Sequence, residues 1–577
     1  MSQEILARAQ AWASHPAIEA ADRLEIQQLI AAGETGLAEL TERFHKGLEF
    51  GTGGLRGVLG MGENRINRYT VRRAAQAFAQ VLRRYFPGEA SVVVSYDCRH
   101  GSREFAEETL AVMAAFGIRG YIYAALTPTP MLSFAIRALK AQGGVMVTAS
   151  HNPPKYNGYK VFWCDGGQVT PPVDQEIIDA YAELTDWAQL KTLPLSEARA
   201  AGLVSEVPAA IEEAFYAMIE KDVIIERELC RREGARLKVS FTPLHGTAHV
   251  PGMTILGRLG FKSVSLIAEE AQPNGDFPTV KYPNPEDPAA LKLAVDRLLS
   301  TEGDVAFGSD PDGDRLGVVV RHDGRPVYLN GNQLGALFLH YVLGQRKRRG
   351  ELKPNSYVVK SIVTSPVQDA IARHYGVSMH ATLTGFKWMA DRIRQLEEEM
   401  PGANFVFASE ESFGYMPHSS SRDKDGISSM ALMCEIALAY KLQGKTLVDA
   451  LDEIAETYGF YEELLVSLDY EGVKGAAKIK RIMDHYRTVR PMEFAGNRVA
   501  RVKDYLAKDT GLPKSNVLGF EFQNGDQLFL RPSGTEPKIK FYLMVVETKG
   551  DLKTKKANAA KKLDALAALI RRTCEGL

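Results

Sequence analysis

A chain of 577 residues is too long for one core, and at ~150 residues per domain it predicts about four. Its 45% hydrophobic and 24% charged residues are ordinary for a soluble globular protein, and a formal net charge of -1 excludes a global basic field for nucleic acid or an anionic membrane. Five scattered cysteines (Cys98, Cys164, Cys230, Cys434, Cys574) without CxxC spacing fit a reduced compartment better than a disulfide framework or a zinc site. The charged N-terminus is no signal peptide and no span of about 18 apolar residues occurs, so the expectation is a cytoplasmic protein.

The first ~40 residues predict helices with alanine-rich faces, then a glycine-rich turn, Phe50-Gly-Thr-Gly-Gly-Leu-Arg56-Gly57. This is no dinucleotide fingerprint, because Arg56 stands where the third glycine belongs and no strand precedes it. A basic residue held in such a turn can approach a phosphate, or simply be solvated. From Tyr69 helices and short apolar strands alternate: helix 71–85, strand Val92–Ser95, helix 103–116, strand Tyr121–Ala124, helix 131–140 and the strand before Ser150. The alternation recurs over 215–326, with strands Leu237–Phe241, Ser263–Ile267 and Val305–Gly308 between helices 251–259 and 288–300. It recurs again over 327–456, with a helix near 332–343, strand 356–363, helix 366–374, strand 379–383, helix 386–399 and strand Phe405–Ala408. Each stretch predicts a layered α/β domain with helices flanking a sheet. Three times an apolar strand runs into a serine-containing loop, at Ser150, Ser309 and Ser409.

Residues 465–577 differ. Strand Leu464–Tyr470, a helix around 473–487, a hairpin-like pair near 517–530, strand Ile539–Val546 and a closing helix predict a smaller α+β domain. The expected domains are thus 1–214, 215–326, 327–456 and 457–577. The basic runs Arg346–Arg349 and Lys553–Lys562 predict a loop and a solvated helix face rather than a nucleic-acid surface.

Two loops carry chemistry. The apolar run Val145–Val147 stops at Ser150, and Pro153 and Pro154 forbid a continuing helix or interior strand. A hydroxyl where a strand gives way to a rigid loop is well presented to a ligand; a Ser/Thr turn is the plainer reading of the tripeptide. In Ser309-Asp310-Pro-Asp312-Gly-Asp314-Arg315 three carboxylates alternate after a strand. Were the chain extended, the first and third would lie ~13 Å apart at ~3.3 Å per residue. Oxygens sharing one Mg²⁺ must each lie ~2.1 Å from it, so the loop must curl at Pro311 and Gly313. Carboxylates forced together repel unless a cation sits between them. An EF-hand is excluded, since its sixth and twelfth loop positions are Arg315 and Arg321. An aspartyl-nucleophile phosphatase loop is half satisfied by Asp310 and Asp312, with Asp314 in place of the hydroxyl or valine.

Thr148-Ala-Ser150-His-Asn-Pro, followed by Asn157-Gly-Tyr-Lys160, closely resembles the phosphoserine loop of the α-D-phosphohexomutases. Asp310-Pro-Asp312-Gly-Asp314-Arg315 matches that family's metal motif, and the turn at Arg56 resembles its Gly-Thr-Ser-Gly-Leu-Arg segment with Gly53 replacing the serine. Glu410-Glu411-Ser412-Phe413-Gly414 resembles its sugar-binding loop, and Phe529-Leu-Arg531-Pro-Ser533-Gly534-Thr535 its phosphate-binding loop. Thr384-Gly385-Phe386-Lys387 and Arg422-Asp423-Lys424-Asp425-Gly426 resemble segments lining the same site. The resemblance runs from about Glu49 to Tyr542, and the length of the chain suits the long bacterial branch that holds glucose- and pentose-phosphate mutases.

The resemblance implies four domains around a central active-site cleft, three of them related α/β sheet domains and the fourth a smaller α+β domain. Ser150 would carry a phosphoryl group, and Mg²⁺ would be held by Asp310, Asp312, Asp314 and the Ser150 phosphoryl oxygen. Arg56, Arg315, Thr384 and Lys424 would contact substrate, Glu410 and Ser412 would read the sugar hydroxyls, and Arg531, Ser533, Gly534 and Thr535 would clamp the second phosphate. His151 and Lys160 are candidates for proton handling, a role that a lowered lysine pKa would suit. Glu-Glu-Ser-Phe-Gly is typical of glucose-handling members, so the expected reaction is an isomerisation of glucose 1-phosphate to glucose 6-phosphate. Glucose 1,6-bisphosphate would be its intermediate and activator. Small-molecule sugar phosphates are then the partners, with no nucleic acid, membrane or obligate protein partner. Mannose or pentose phosphates, an aspartyl-phosphate phosphatase and a non-catalytic sugar-phosphate sensor stay open as alternatives.

Overall fold

The protein is described by a computed structural model that covers every residue except Met1, Thr52, Glu471 and 534–537, with the side chains of Ser2, Gly472, Val473 and Lys508 also left aside. It divides into two compact units: Met1–Tyr328 with Phe386–Glu399 and Gly414–Ala439, and Leu329–Gly385 with Met400–Phe413 and Tyr440–Leu577.

In the first unit, helices Ser2–Ser14, Ala20–Ala31 and Glu34–Phe44 close a small core of Trp12, Ile26, Leu40, Phe44 and Tyr69. The next sheet contains β1 (Gly54–Val58), β2 (Ser91–Tyr96), β3 (Arg119–Ile122), β4 (Gly143–Val147), β5 (Tyr156–Trp163) and β6 (Val204–Glu206), in the order β1-β5-β4-β2-β3-β6. β2 runs parallel to β3 and β4, and every residue of β4 is buried, the near-continuous apolar run expected of a strand covered on both faces. Helices Arg68–Tyr85, Ser102–Ala115 and Thr129–Ala138 accompany this sheet.

Two expectations change here. The segment from Gly54 is strand β1, not a turn, and pairs antiparallel with β5. The glycine is needed for that pairing: Gly54 has φ +126°, and a Cβ there would lie 1.7 Å from the Tyr159 carbonyl oxygen. The chain after Ser150 also returns to the sheet as β5. Pro153 and Pro154 do break the strand, but only for the length of a hairpin loop.

The second sheet holds β7 (Val239–Thr242), β8 (Val264–Leu266), β9 (Val305–Gly308), β10 (Gly317–His322) and β11 (Arg325–Leu329), ordered β11-β10-β9-β7-β8. β7, β8 and β9 are parallel, and β10 returns antiparallel beside β9. The hairpin of β10 and β11 was not expected from the sequence. The helix expected at 288–300 begins at Lys292, after turns through Pro288.

In the second unit β12 (Ser356–Ser361) lies between β13 (Ser378–Thr382) and β14 (Asn404–Glu410), all parallel. Ser409 belongs to β14 rather than a loop, buried and hydrogen-bonded to Gln368. Helix Gly331–Arg348 starts at an Asn330 capping box and carries Arg346, Lys347 and Arg348 in its last turn. That run is therefore helical, because cations complement the unpaired carbonyls of a helix end. The short strand β15 (Gly414–Met416) belongs to the first unit, where Gly414 bridges Arg315.

The C-terminal antiparallel sheet is ordered β16 (Phe460–Asp469), β21 (Lys538–Glu547), β20 (Gln527–Pro532), β19 (Leu518–Phe522), β18 (Asn497–Asp504), β17 (Glu493–Phe494). Helix Leu552–Gly576 packs on it through Ala559, Leu563, Leu566 and Ile570, a stripe at helical spacing. The lysines of 553–562 are not all solvated: Lys555 is buried and Lys562 pairs with Glu547 at 2.6 Å. Three α/β domains and a C-terminal α+β domain are thus present.

Candidate active site

Ser150 follows β4, at the carboxyl end of a parallel strand, where open α/β sheets place ligand sites. It is buried and has φ 49°, a left-handed backbone that costs a non-glycine residue about 1–3 kcal/mol unless its surroundings enforce it. Its Oγ donates to Asp310 Oδ2 at 2.8 Å and lies 3.2 Å from His151 Nδ1. Burial, then the positive charges of Arg315 and Arg56, push the His151 imidazole well below its ordinary pKa, so it is neutral near pH 7.

The acidic loop follows β9, again at the carboxyl end of a parallel strand. It curls as its composition requires: one oxygen from each of Asp310, Asp312 and Asp314 lies within 4.8 Å of the others, and all three residues are buried. Pro311 and Gly313 make the bend, Gly313 at φ +67°. The start of helix Thr129–Ala138 supports the loop, with Thr129 N donating to the Asp312 carbonyl at 2.9 Å. Burial, then repulsion from Asp312 and Asp314, raises Asp310 well above the usual carboxylate range, and Asp314 is raised by burial, then by the charges of Asp312 and Asp423. Burial opposes ionisation of Asp312 too, but Lys160 Nζ at 2.7 Å holds it below the ordinary value.

Asp312 Oδ1 and both carboxylate oxygens of Asp314 are buried without a hydrogen-bond partner among the described residues; Lys424 Nζ lies 3.1 Å from Asp314 Oδ2 but out of hydrogen-bond alignment. An all-oxygen donor set with orphaned carboxylate oxygens fits a hard divalent cation.

Four basic side chains face this centre. Lys160 rides β5 and reaches both Asp312 and Asp314. Burial works against its charge, yet the two carboxylates raise its pKa, so the lowered lysine expected for proton handling is not what the surroundings produce. Arg56 lies opposite Gly158 in the register of β1 and β5, on the face shared with Lys160. Arg315 pairs with Glu286 and donates its backbone N–H to Asp310 at 3.0 Å. Lys424 also pairs with Asp423, which Gln168 holds at 2.7 Å.

Sequence reasoning passed over Asp97, Arg99, Gln168 and Glu286. Each acts on residues far along the chain, and only the buried-type pair Asp97-x-Arg99 at a strand end offered a local signal.

In the second unit Glu410 ends β14 and its carboxylate accepts from the Gly385 N–H. Thr384 Oγ1 accepts from Arg531, so the arginine of the fourth domain and the threonine of the third are brought together. Lys540 stands opposite Arg531 in the β20–β21 register. Burial and the neighbouring Glu410 charge push Glu411 up to about 7, while Ser361 donates to it at 3.1 Å. Ser412 precedes Phe413, which is left-handed at φ 63°. Ser533, just after β20, donates its N–H to the Lys538 carbonyl at 2.8 Å. Gly534 and Thr535 lie outside the described residues.

Comparison with known proteins shows the family of the chain. Three profiles of phosphoglucomutase/phosphomannomutase α/β/α domains I, II and III match residues 47–187, 214–324 and 330–458 in order. A phosphoglucomutase of Staphylococcus epidermidis is 36% identical over 534 residues, covering 90% of this chain and 95% of its own. One from Staphylococcus aureus is 37% identical over 517 residues, covering 88% and 91%. The fold is also that of parafusin from Paramecium (TM-score 0.68, 19% identity, 91% of this chain and 95% of that one). It is likewise that of a phosphoglucomutase/phosphomannomutase family protein from Burkholderia thailandensis (0.65, 20%, 91% and 97%). With three family domains in sequence and relatives alike along most of its length, the chain belongs to the phosphoglucomutase/phosphomannomutase family.

Proposed function

We propose that the chain is a phosphoglucomutase, an isomerase that interconverts α-D-glucose 1-phosphate and glucose 6-phosphate through a phosphoserine at Ser150. The observation that carries this reading is the Ser150 Oγ, 2.8 Å from Asp310 within the buried acidic trio. Phosphorylated Ser150 gives its group to the free 6-hydroxyl of glucose 1-phosphate: the new P–O6 bond forms as the bond to Oγ breaks, and the electron pair stays on Oγ. Glucose 1,6-bisphosphate then turns over without leaving, and its 1-phosphate returns to Ser150 by the reverse step. Mg²⁺ held by Asp310, Asp312, Asp314 and a Ser150 phosphoryl oxygen would neutralise charge on the transferring group.

Of the two proton-handling candidates, neutral His151 is suited to take the hydroxyl proton and return it to Oγ, whereas Lys160 stays cationic and offsets phosphate charge. Arg56, Arg315 and Lys424 supply further cationic contacts. Glu410 and Ser412 read the sugar hydroxyls beside Thr384, and Arg531, Ser533, Gly534 and Thr535 hold the phosphate that is not reacting. The five cysteines are free, in keeping with a cytoplasmic enzyme whose partners are small sugar phosphates.

The test is steady-state turnover with Mg²⁺ and a trace of glucose 1,6-bisphosphate. Wild type should convert glucose 1-phosphate in preference to mannose 1-phosphate and ribose 1-phosphate, and Ser150→Ala should lose ~10³-fold or more in kcat. Full activity in Ser150→Ala, with an intermediate labile to hydroxylamine, would replace this reading with an aspartyl-phosphate phosphatase.

A further inference from the structure

We infer that Arg99, anchored on Asp97, is the positioning residue that holds Ser150 in the backbone conformation from which its Oγ faces the acidic loop. The inference rests on the reading of Ser150 as the phosphoryl carrier.

The nucleophile sits in a left-handed conformation, which persists only where both of its peptide groups are tied down. They are tied to one buried anchor. On the amino side, Ser150 N donates to Thr148 Oγ1 at 2.8 Å, and that hydroxyl donates to Asp97 Oδ2 at 2.6 Å. On the carboxyl side, the Ser150 carbonyl accepts from Arg99 Nη2 at 2.6 Å. The same guanidinium donates to three more carbonyls of the loop: Asn152 from Nη2, and Pro153 and Tyr156 from Nη1 at 3.0 and 3.1 Å. One planar fork thus spans the turn from Ser150 to Tyr156, a task that needs the fixed geometry of arginine rather than charge alone.

The anchor is itself fixed. Asp97 accepts from Arg99 N at 2.9 Å and Ser102 Oγ at 2.7 Å, and its Oδ2 lies 3.3 Å from Arg99 Nε. Both side chains are fully enclosed. The ring of Phe277 covers the guanidinium, 4.9 Å from its centroid, and comes from the domain that bears the acidic loop. The backbones meet closely there, since a Cβ on Gly275 would lie 2.9 Å from His100 N. Among the described residues the Arg99 guanidinium bonds go to loop carbonyls, the Ser150 carbonyl included, and not to Ser150 Oγ, so its part is to aim Ser150, not to react.

Three variants and two readouts test this. Arg99→Lys keeps a cation facing Asp97 but cannot span four carbonyls, and Thr148→Val removes the tie on the amino side. Each should lower kcat by about 10²-fold while KM for glucose 1-phosphate stays within about threefold, since aim is lost and substrate contacts are not. In the same variants, exchange of the Ser150, Asn152 and Tyr156 amides should quicken by about tenfold, with the melting temperature within a few degrees of wild type. Arg99→Lys with kcat within about threefold of wild type, or with unchanged exchange in this loop, overturns the inference. Arg99→Ala should show a larger loss; should it fail to fold, Arg99→Lys and Thr148→Val decide. Wild type that turns over no hexose phosphate would defeat the proposed function alone, because the exchange comparison still judges Arg99.

Discussion

Asp310, Asp312 and Asp314 are enclosed by protein while their charges repel, which makes the loop costly to fold without a counter-cation and tight once it has one. Asp314→Asn should therefore raise the melting temperature of EDTA-stripped protein, by an amount worth about 1–3 kcal/mol, and lower it relative to wild type in excess Mg²⁺. Thermal scans with and without metal check this, and a shift of the same sign in both would count against a cation site. Glu463 gives a second residue-level prediction. Burial, helped by the Glu462 charge against the Ser365 hydrogen bond, pushes it up to about 7. The folded state then holds this proton more tightly than the unfolded chain, so the stability it lends is complete below about pH 4.5 and is lost as pH rises through about 7. Glu463→Gln should leave stability unchanged near pH 4.5 and add about 1–2 kcal/mol at pH 8, measured by denaturant unfolding. The Ser150 hydroxyl and the acids were legible in sequence because the chemistry proposed for them needs fixed residue types at fixed short spacing. Arg99 and Glu286 were not, because they act on carbonyls and side chains that only folding brings near.

The hairpin from β4 through the Ser150 loop to β5 carries Ser150 in its loop and Lys160 on its second strand, and β1 adds Arg56 beside Lys160. Gly54 leaves no room for a Cβ against the Tyr159 carbonyl, so Gly54→Ala should cost about 3 kcal/mol or more in denaturant unfolding and reduce activity by displacing Arg56. A loss under about 0.5 kcal/mol would mean that β1 is not needed to hold the site. The helices were readable where apolar spacing was regular, as at 386–399, which the structure reproduces to the residue. Strands were harder. β10 and β11 follow a loop whose carboxylates and glycine read as irregular, and β1 hides in a glycine-rich segment because a closely apposed edge strand excludes side chains. The run Arg346–Arg349 misled for the opposite reason: its charges suit a helix end as well as a loop.

Across the whole chain, a net charge of -1 leaves no long-range attraction for anions, so the proposed recognition of phosphate would rest on local groups such as Lys160, Arg315 and Lys424 beside the acidic loop. The repeated strand–helix alternation made three α/β domains and a different C-terminal domain legible, since hydrophobic period survives without any contact information. The pairing order within each sheet was not legible, because β4 lies beside β2 rather than β3 for reasons of packing that no local stretch records. What the assembled molecule is proposed to do is carry a phosphoryl group on one serine. Intact mass before and after glucose 1,6-bisphosphate tests that most directly: wild type should gain a single phosphate on the peptide containing Ser150, and Ser150→Ala should gain none. A mass that does not change, or a phosphate that the Ser150→Ala protein still acquires, would contradict it.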